Sequence, residues 1–224
     1  MAPPRLVVVH NEVDSDATFH CEALEGALPA TSTIAVDYPA GERPALGSAD
    51  GVVLSGSTAG VYEVGENPWI DEQQALVREL IERRIPTLGV CFGHQLVNAA
   101  LGGTVEADEL RCRPVAVEFA DDSLFRNVSS VVPAVHGDVV THPGDDLEVI
   151  ASAEHARVFA TRHREAPLWT VQFHPELTAA HRDRLEAAFP WREGEHGLEE
   201  VTASRVLENF VNFVTERAGR ANAE

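Results

Sequence analysis

The segment Thr87-Leu88-Gly89-Val90-Cys91-Phe92-Gly93-His94-Gln95 constrains this chain more than any other. An apolar run enters a Gly-x-Cys-x-Gly turn, and helix-forming residues begin at once. Glycines on both sides of a reactive residue permit a strand-to-helix turn that side chains would block, as in a nucleophile elbow. The central side chain then stands at the sheet edge over a helix N-terminus, whose free N–H groups favour a thiolate and can hold an oxyanion. Taken alone, Cys91 also fits the bland alternative of a buried apolar filler.

A second stretch decides between the two. Leu168-Trp169-Thr170-Val171-Gln172-Phe173-His174-Pro175-Glu176 lies about 80 residues downstream, where another apolar strand delivers a histidine and, two residues on, a carboxylate. A cysteine nucleophile needs a base, and the base needs an orienting partner. With Cys91, His174 and Glu176 in this order, the sequence resembles the class I (triad) glutamine amidotransferases, whose glutaminase domains carry a G-x-C-x-G-x-Q elbow and a terminal F-H-P-E. The resemblance spans roughly residues 5 to 217. It implies a flavodoxin-like α/β domain: an open, mostly parallel sheet with helices on both faces and a β-rich edge. It also implies hydrolysis of the glutamine side-chain amide through a cysteinyl thioester, with no metal and no organic cofactor.

Other residues take roles by the same resemblance. The loop after Gly51–Leu54, Ser55-Gly56-Ser57-Thr58, stands where many family members read Ser-Gly-Gly-Pro. It is expected to supply one oxyanion donor at Ser57, with Gly56 near the substrate and the Phe92 N–H as the second donor. Ser57 accepts fewer backbone conformations than glycine, which makes the resting shape of the loop an open matter. Gln95 resembles the glutamine that helps to hold the substrate. Val135-His136-Gly137-Asp138 resembles the S-H-G-D segment of GMP synthase-like glutaminases, with Val135 in place of the usual Ser, so His136, Gly137 and Asp138 are substrate-binding candidates. His94 sits beside the nucleophile, but helix neighbours point apart, so it is read as structural. Cys112, between Arg111 and Arg113, lacks an elbow and is read as a surface or strand cysteine whose thiol the two guanidinium groups would acidify.

Along the chain, strands are expected at Arg5–Val9, Thr31–Tyr38, Gly51–Leu54, Val131–Val140, Leu147–Ala151 and Arg157–Thr161. Helices are expected from Ala17, capped by Asp16, to about Gly26, from Pro68 to about Arg84, from Phe92 to Leu101 and from Val201 to Arg217. The loop His10 to Asp16 carries a histidine and three carboxylates without a fixed ligand spacing, so it is read as a solvated loop and not as a metal site. Residues 178–200, with Phe189-Pro190-Trp191, form an insertion before the last helix: a lid, an interface or decoration. At 224 residues, one domain spanning 1–224 is expected.

Charge narrows the partners. There are 36 acidic residues against 17 basic ones, a net charge of −19, and every basic residue is Arg. Such a surface repels nucleic acid and anionic membranes and, by its self-repulsion, points to a salt-adapted source. No apolar run approaches the ~20 residues of a membrane span, the start lacks a signal-like core, and three cysteines without metal spacing suit the cytoplasm. The substrate is expected to be glutamine or a γ-glutamyl compound. No Ser-Gly-Gly-x-Asp-Ser loop occurs in the sequence, so ammonia would pass to a separate synthetase subunit. The alternatives are a stand-alone γ-glutamyl peptidase and a catalytically silent regulatory homologue.

Overall fold

The computed structural model describes residues 3–221; the ends of the expected 1–224 domain, including the leading Met1-Ala2, lie outside the described residues. The chain runs β1 (Arg5–His10), α1 (Phe19–Ala27), β2 (Ser32–Asp37), β3 (Gly51–Leu54), α2 (Trp69–Glu82), β4 (Thr87–Val90) and α3 (Phe92–Ala100). It continues through β5 (Thr104–Phe119), β6 (Val131–His142), β7 (Leu147–Ala153), β8 (Ala156–His163), β9 (Leu168–Val171), α4 (Arg182–Ala188) and α5 (Arg205–Ala221).

The strands join in the order β2-β1-β3-β4-β9-β8-β6-β5-β7. The apolar runs of β3, β4 and β9, and all but the ends of β1, are buried on both faces, because helices cover both sides. Alternation divides them between two cores. Leu6, Val8, Val53 and Leu88 pack with Leu24 of α1 and with Leu207 and Phe210 of α5. Val7, Val9, Val52 and Leu54 face Val77 and Leu80 of α2 and Leu96 of α3.

Only part of the sheet is parallel. β2, β1, β3, β4 and β9 pair in parallel, whereas β9–β8, β8–β6, β6–β5, β5–β7 and β7–β8 are antiparallel. Because β7 bonds both β5 and β8, the far side of the sheet closes on itself, unlike the open, mostly parallel sheet expected. The physical reason is the length of β5, 16 residues, and β6, 12 residues. Arms of that length bend at register shifts, one of them between Ala107 and Arg111, and curl until their outer strands meet.

Two local expectations are corrected. α1 begins at Phe19 with Thr18 as an N-cap whose hydroxyl donates back to the Ser15 carbonyl and makes no capping bond, and Asp16 donates its own N–H to Asp14 Oδ1 and is held in a turn. α5 begins at Arg205, because Thr202 is tied instead to Ser129. The insertion is not loose: its Leu185, Trp191 and Leu198 form a small core with Phe19, Cys112, Val135 and Leu177.

Candidate active site

Four parallel strands end on one rim. Glu12 follows β1, Ser55 to Gly60 follow β3, Cys91 follows β4 and His174 follows β9, at the carboxyl edge where α/β sheets place ligands. β4 and β9 are neighbours, with Val90 opposite Val171, and the Cys91 N–H donates to the Val171 carbonyl at 2.8 Å. Adjacency in the sheet is what brings the elbow and the histidine together.

The elbow has the strain its role requires. Cys91 holds φ 51° and ψ −104°, a conformation costing a non-glycine residue about 1–3 kcal/mol. A Cβ on Gly89 would stand 2.6 Å from the Gly93 carbonyl oxygen, and one on Gly93 would stand 2.6 Å from the Leu54 carbonyl oxygen. Neither position can carry a side chain. The Phe92 N–H lies in the first turn of α3, where helix donors have no intrahelical acceptor.

His174 and Glu176 are buried, and His174 Nδ1 lies 2.6 Å from Glu176 Oε1. His174 Nε2 sits 3.3 Å from the Val135 carbonyl, to which the Cys91 thiol also donates at 3.6 Å. The contact is to backbone, so replacement of the usual Ser by Val135 leaves it intact. The His174 pKa lies well above its ordinary value: burial opposes the charge, and the Glu176 carboxylate and then the Cys91 sulfur outweigh it.

The Ser55–Gly60 loop is pinned rather than loose. The Asn11 N–H donates to Ser55 Oγ, and the Gly93 N–H to the Ser55 carbonyl. The Ala59 N–H donates to Ser57 Oγ, and the Gly60 N–H to Glu63 Oε2. Both the N–H and the hydroxyl of Thr58 donate to Glu12. Ser57 is not among the residues at positive φ, so serine is accommodated there without strain. Gly56 makes the closest approach: a Cβ there would meet the His174 ring at 3.1 Å, the His20 ring at 3.3 Å and Cys91 Cβ at 3.5 Å.

A cavity of about 340 Å³ opens over these groups. Its walls include Cys91, His174, Ser57, Gln95, His136, Gly137 and Asp138, whereas Phe92, Gly56 and Glu176 are not among the wall residues. Gln95 donates to the Asp138 carbonyl and to Gln172 Oε1, both at 3.2 Å, and Gln172 reaches the Cys91 sulfur at 3.7 Å. The Tyr62 hydroxyl donates to Asp138 Oδ1 at 2.9 Å. His136 commits Nδ1 to the Asp138 carbonyl and Nε2 to Nε2 of His155, 3.2 Å away, and burial first and His155 second push its pKa down to about 3.

Several wall residues have no motif in the sequence. Leu110 reaches the cavity because residues 108–110 bulge out of β5 opposite Gly137. Phe189 reaches it from the insertion. Glu12 and His20, which the sequence places in a solvated loop and just after it, are both buried and form a pair at 2.7 Å. Two other expectations meet different fates. His94 points away into the sheet, to Thr170 Oγ1 at 2.6 Å and the Val158 carbonyl at 3.2 Å, and is structural. Cys112 is buried under the insertion, and burial pushes its thiol up to about 11, against the acidified thiol expected from its flanking arginines. Among the described residues, His20, His174 and Glu176 bring ligand-type atoms within 4.8 Å of one another, but each imidazole already has a carboxylate partner.

A five-strand parallel run, its inner strands buried on both faces, that ends in a cysteine elbow beside a histidine–carboxylate pair defines an α/β protein with the parts of a thiol hydrolase. Residues 26–187 match the family Glutamine amidotransferase class-I, and the chain belongs to that family. It is similar to the glutamine-hydrolysing GMP synthase of Streptomyces avermitilis, 28% identical over 93% of this chain and 37% of that protein. It is also similar to one subunit of the glutamine-hydrolysing GMP synthase of Methanocaldococcus jannaschii, 33% identical over 57% of this chain and 64% of that one. The chain thus spans little more than a third of the first relative. Among solved structures, a glutamine amidotransferase from Thermotoga maritima superposes with a TM-score of 0.68 at 23% identity, covering 96% of this chain and 97% of that one, a likeness of fold. No helix among the described residues is long and apolar enough to cross a membrane.

Proposed function

We propose that the chain hydrolyses the side-chain amide of glutamine and supplies the ammonia to a synthetase, in the manner of a GMP synthase glutaminase. The observation that carries this reading is the convergence of the strained Cys91 elbow, the buried His174–Glu176 pair and the pinned Ser55–Gly60 loop on one cavity. The Cys91 thiol gives its proton to His174, and the sulfur attacks the amide carbon. The N–H groups of Phe92 and Ser57 receive the oxyanion. His174, oriented by Glu176, protonates the departing nitrogen, and ammonia leaves behind a γ-glutamyl thioester. Water attacks the thioester with His174 as base, which frees glutamate and restores the thiol. Gly56, Gln95, His136, Gly137 and Asp138 are assigned to holding the substrate.

Residues 1–224 are read as one domain whose parallel run is flavodoxin-like, in a cytoplasmic protein whose three thiols are free. The Methanocaldococcus jannaschii relative, itself one subunit of a GMP synthase, supports a separate synthetase as partner. One observation favours the second reading, a γ-glutamyl hydrolase acting alone: the oxyanion loop is already anchored at both ends and at Thr58. The test is steady-state hydrolysis of glutamine and of a γ-glutamyl dipeptide, each with and without the synthetase. Glutamine hydrolysis that rises with the partner is expected. Strong, partner-independent cleavage of the dipeptide would replace the subunit reading with the hydrolase.

A further inference from the structure

A second histidine–carboxylate pair stands against the first. Glu12 is 9% exposed and His20 4% exposed, although the sequence reads as a solvated loop around Glu12 and as a helix around His20. Glu12 Oε2 meets His20 Nε2 at 2.7 Å, while Glu12 Oε1 accepts the N–H groups of Val13 and Asp14 at 2.9 Å and both donors of Thr58. One carboxylate therefore ties together the β1–α1 loop, helix α1 and the oxyanion loop. The His20 ring packs edge-on against the His174 ring, with centroids 5.7 Å apart. Around Gly56 the rings of His20 and His174 and the side chain of Cys91 close on a single point.

Carboxylates offset the imidazoles in this cluster, although His20 and His174 oppose each other's charge. Glu176 commits Oε1 to His174, and its Oε2 is buried with no hydrogen-bond partner among the described residues. His20 brings a ring nitrogen within 4.8 Å of that carboxylate. Facing His20 are thus Glu12 from the β1–α1 loop, Cys21 from its own helix, with its sulfur 3.7 Å from Nδ1, and His174 and Glu176 from the segment after β9; Cys91 lies across Gly56.

We propose that Glu12 and His20 are positioning residues for the Cys91 site: Glu12 clamps the oxyanion loop through Thr58, and the His20 imidazolium it holds places a fixed positive charge behind Gly56. There the charge favours negative charge on the Cys91 sulfur and on the substrate oxyanion, and it offsets the bare oxygen of Glu176. Burial works against a charged His20, and the Cys21 sulfur and the Glu12 carboxylate outweigh it, which pushes its pKa up to about 10. The pair deepens the glutaminase reading and rests on it for the oxyanion.

The experiment reads the site without needing glutamine. Cys91 is alkylated with iodoacetamide in the full chain and in Glu12→Gln, with the modified cysteine identified by peptide mass spectrometry from about pH 6 to 11, a range that brackets the titration of His20. Glu12→Gln keeps the side-chain shape and an acceptor for Thr58 while removing the charge. The rate near neutral pH is expected to fall about tenfold, the effect of one nearby charge at a partly buried site. The difference should close as pH passes about 10, where His20 of the unaltered chain loses its proton. A loss that persists undiminished across all pH, or no loss at all, overturns the proposal. Should the variant fail to fold, the His20 ring nitrogens can still be followed by NMR in the unaltered chain. A ring still protonated well above the ordinary histidine range, at about pH 8, is expected, and a ring neutral at about pH 7 overturns the proposal. Glutamine hydrolysis by the same samples separates the two ideas, since a chain that shows the alkylation effect but releases no ammonia sinks only the glutaminase reading.

Discussion

At the scale of single residues, all three cysteines are buried, and Cys91 alone of them lines the cavity. Cys112 lies beneath the insertion with its thiol pushed up to about 11, and Cys21 is buried beside Ser55. Cys91→Ala is expected to lower amide hydrolysis by at least about a thousandfold while glutamine still binds, and Cys112→Ala to keep the activity. Ammonia release together with glutamine binding by calorimetry checks both; activity that follows Cys112 instead would overturn the assignment. His174→Ala should slow thioester formation more than Glu176→Gln, since a partner that orients a base contributes less than the proton transfer itself. Single-turnover kinetics of thioester formation decides the order. The Glu12–His20 pair carries its own pH signature. Glu12 is held down at about 2: burial opposes its charge, and His20 and Thr58 outweigh burial. Its contribution to stability is present above the usual value of 4.5 and lost as pH falls towards 2. His20, raised to about 10, contributes fully below 6.5 and loses that contribution as pH rises towards 10. The gap in melting temperature between the unaltered chain and Glu12→Gln should therefore be widest between about pH 4.5 and 6.5 and narrow on both sides. A gap that is constant with pH would show that the pair is not charged as argued.

At the scale of elements, the parts legible in the sequence are those whose signal is local. The elbow announces itself because two glycines and a cysteine must be close in sequence to make one turn, and His174 and Glu176 because both sit on the end of one strand. The strands β1, β3, β4 and β9 show as unbroken apolar runs because they are buried on both faces. The first half of strand β5 has no such signal: from Glu106 to Leu110 every residue is exposed, so no alternation marks it. The closure of the sheet is equally hidden, because it depends on where β7 lands after two long arms have bent, which no short window contains. Glu12 and His20 look like loop and helix surface until Thr58, 46 residues from Glu12, is brought over them. Gln172 reads only as part of a strand, although it touches both Gln95 and the Cys91 sulfur. The insertion acquires a role only through packing: its satellite core of Leu185, Trp191 and Leu198 fixes Phe189 in the cavity wall. Phe189→Ala is accordingly expected to change KM for a γ-glutamyl substrate several-fold and to leave kcat within about twofold, because it shapes the wall without touching Cys91. A fall in kcat at constant KM would mean that the insertion acts on the chemistry itself.

At the scale of the whole molecule, net charge outweighs any single ion pair. With 36 carboxylates and 17 guanidinium groups, many arginines are already paired: Arg83 with Glu79, Arg162 with Asp122, Arg182 with both Glu193 and Glu199, and Arg205 with Glu208. The pairs of Arg83 and Arg205, exposed on both sides, contribute little each, about 0–1 kcal/mol. The surplus carboxylates remain unneutralised, and their mutual repulsion is relieved when the chain expands, so it acts against the folded state. Added salt shortens the range of that repulsion from about 10 Å at 0.1 M to about 3 Å at 1 M. The same salt weakens the surface pairs, but each has less than the collective repulsion to lose. The melting temperature is therefore expected to rise by several degrees between about 0.1 and 2 M potassium chloride, a shift that corresponds to about 1–2 kcal/mol in a chain of this size. Sodium chloride should act alike, because screening depends on ionic strength and not on the identity of the cation. A melting temperature that stays flat or falls over that range would assign the acidic, lysine-free composition to the coding bias of the source, leaving the surface charge without a role in stability.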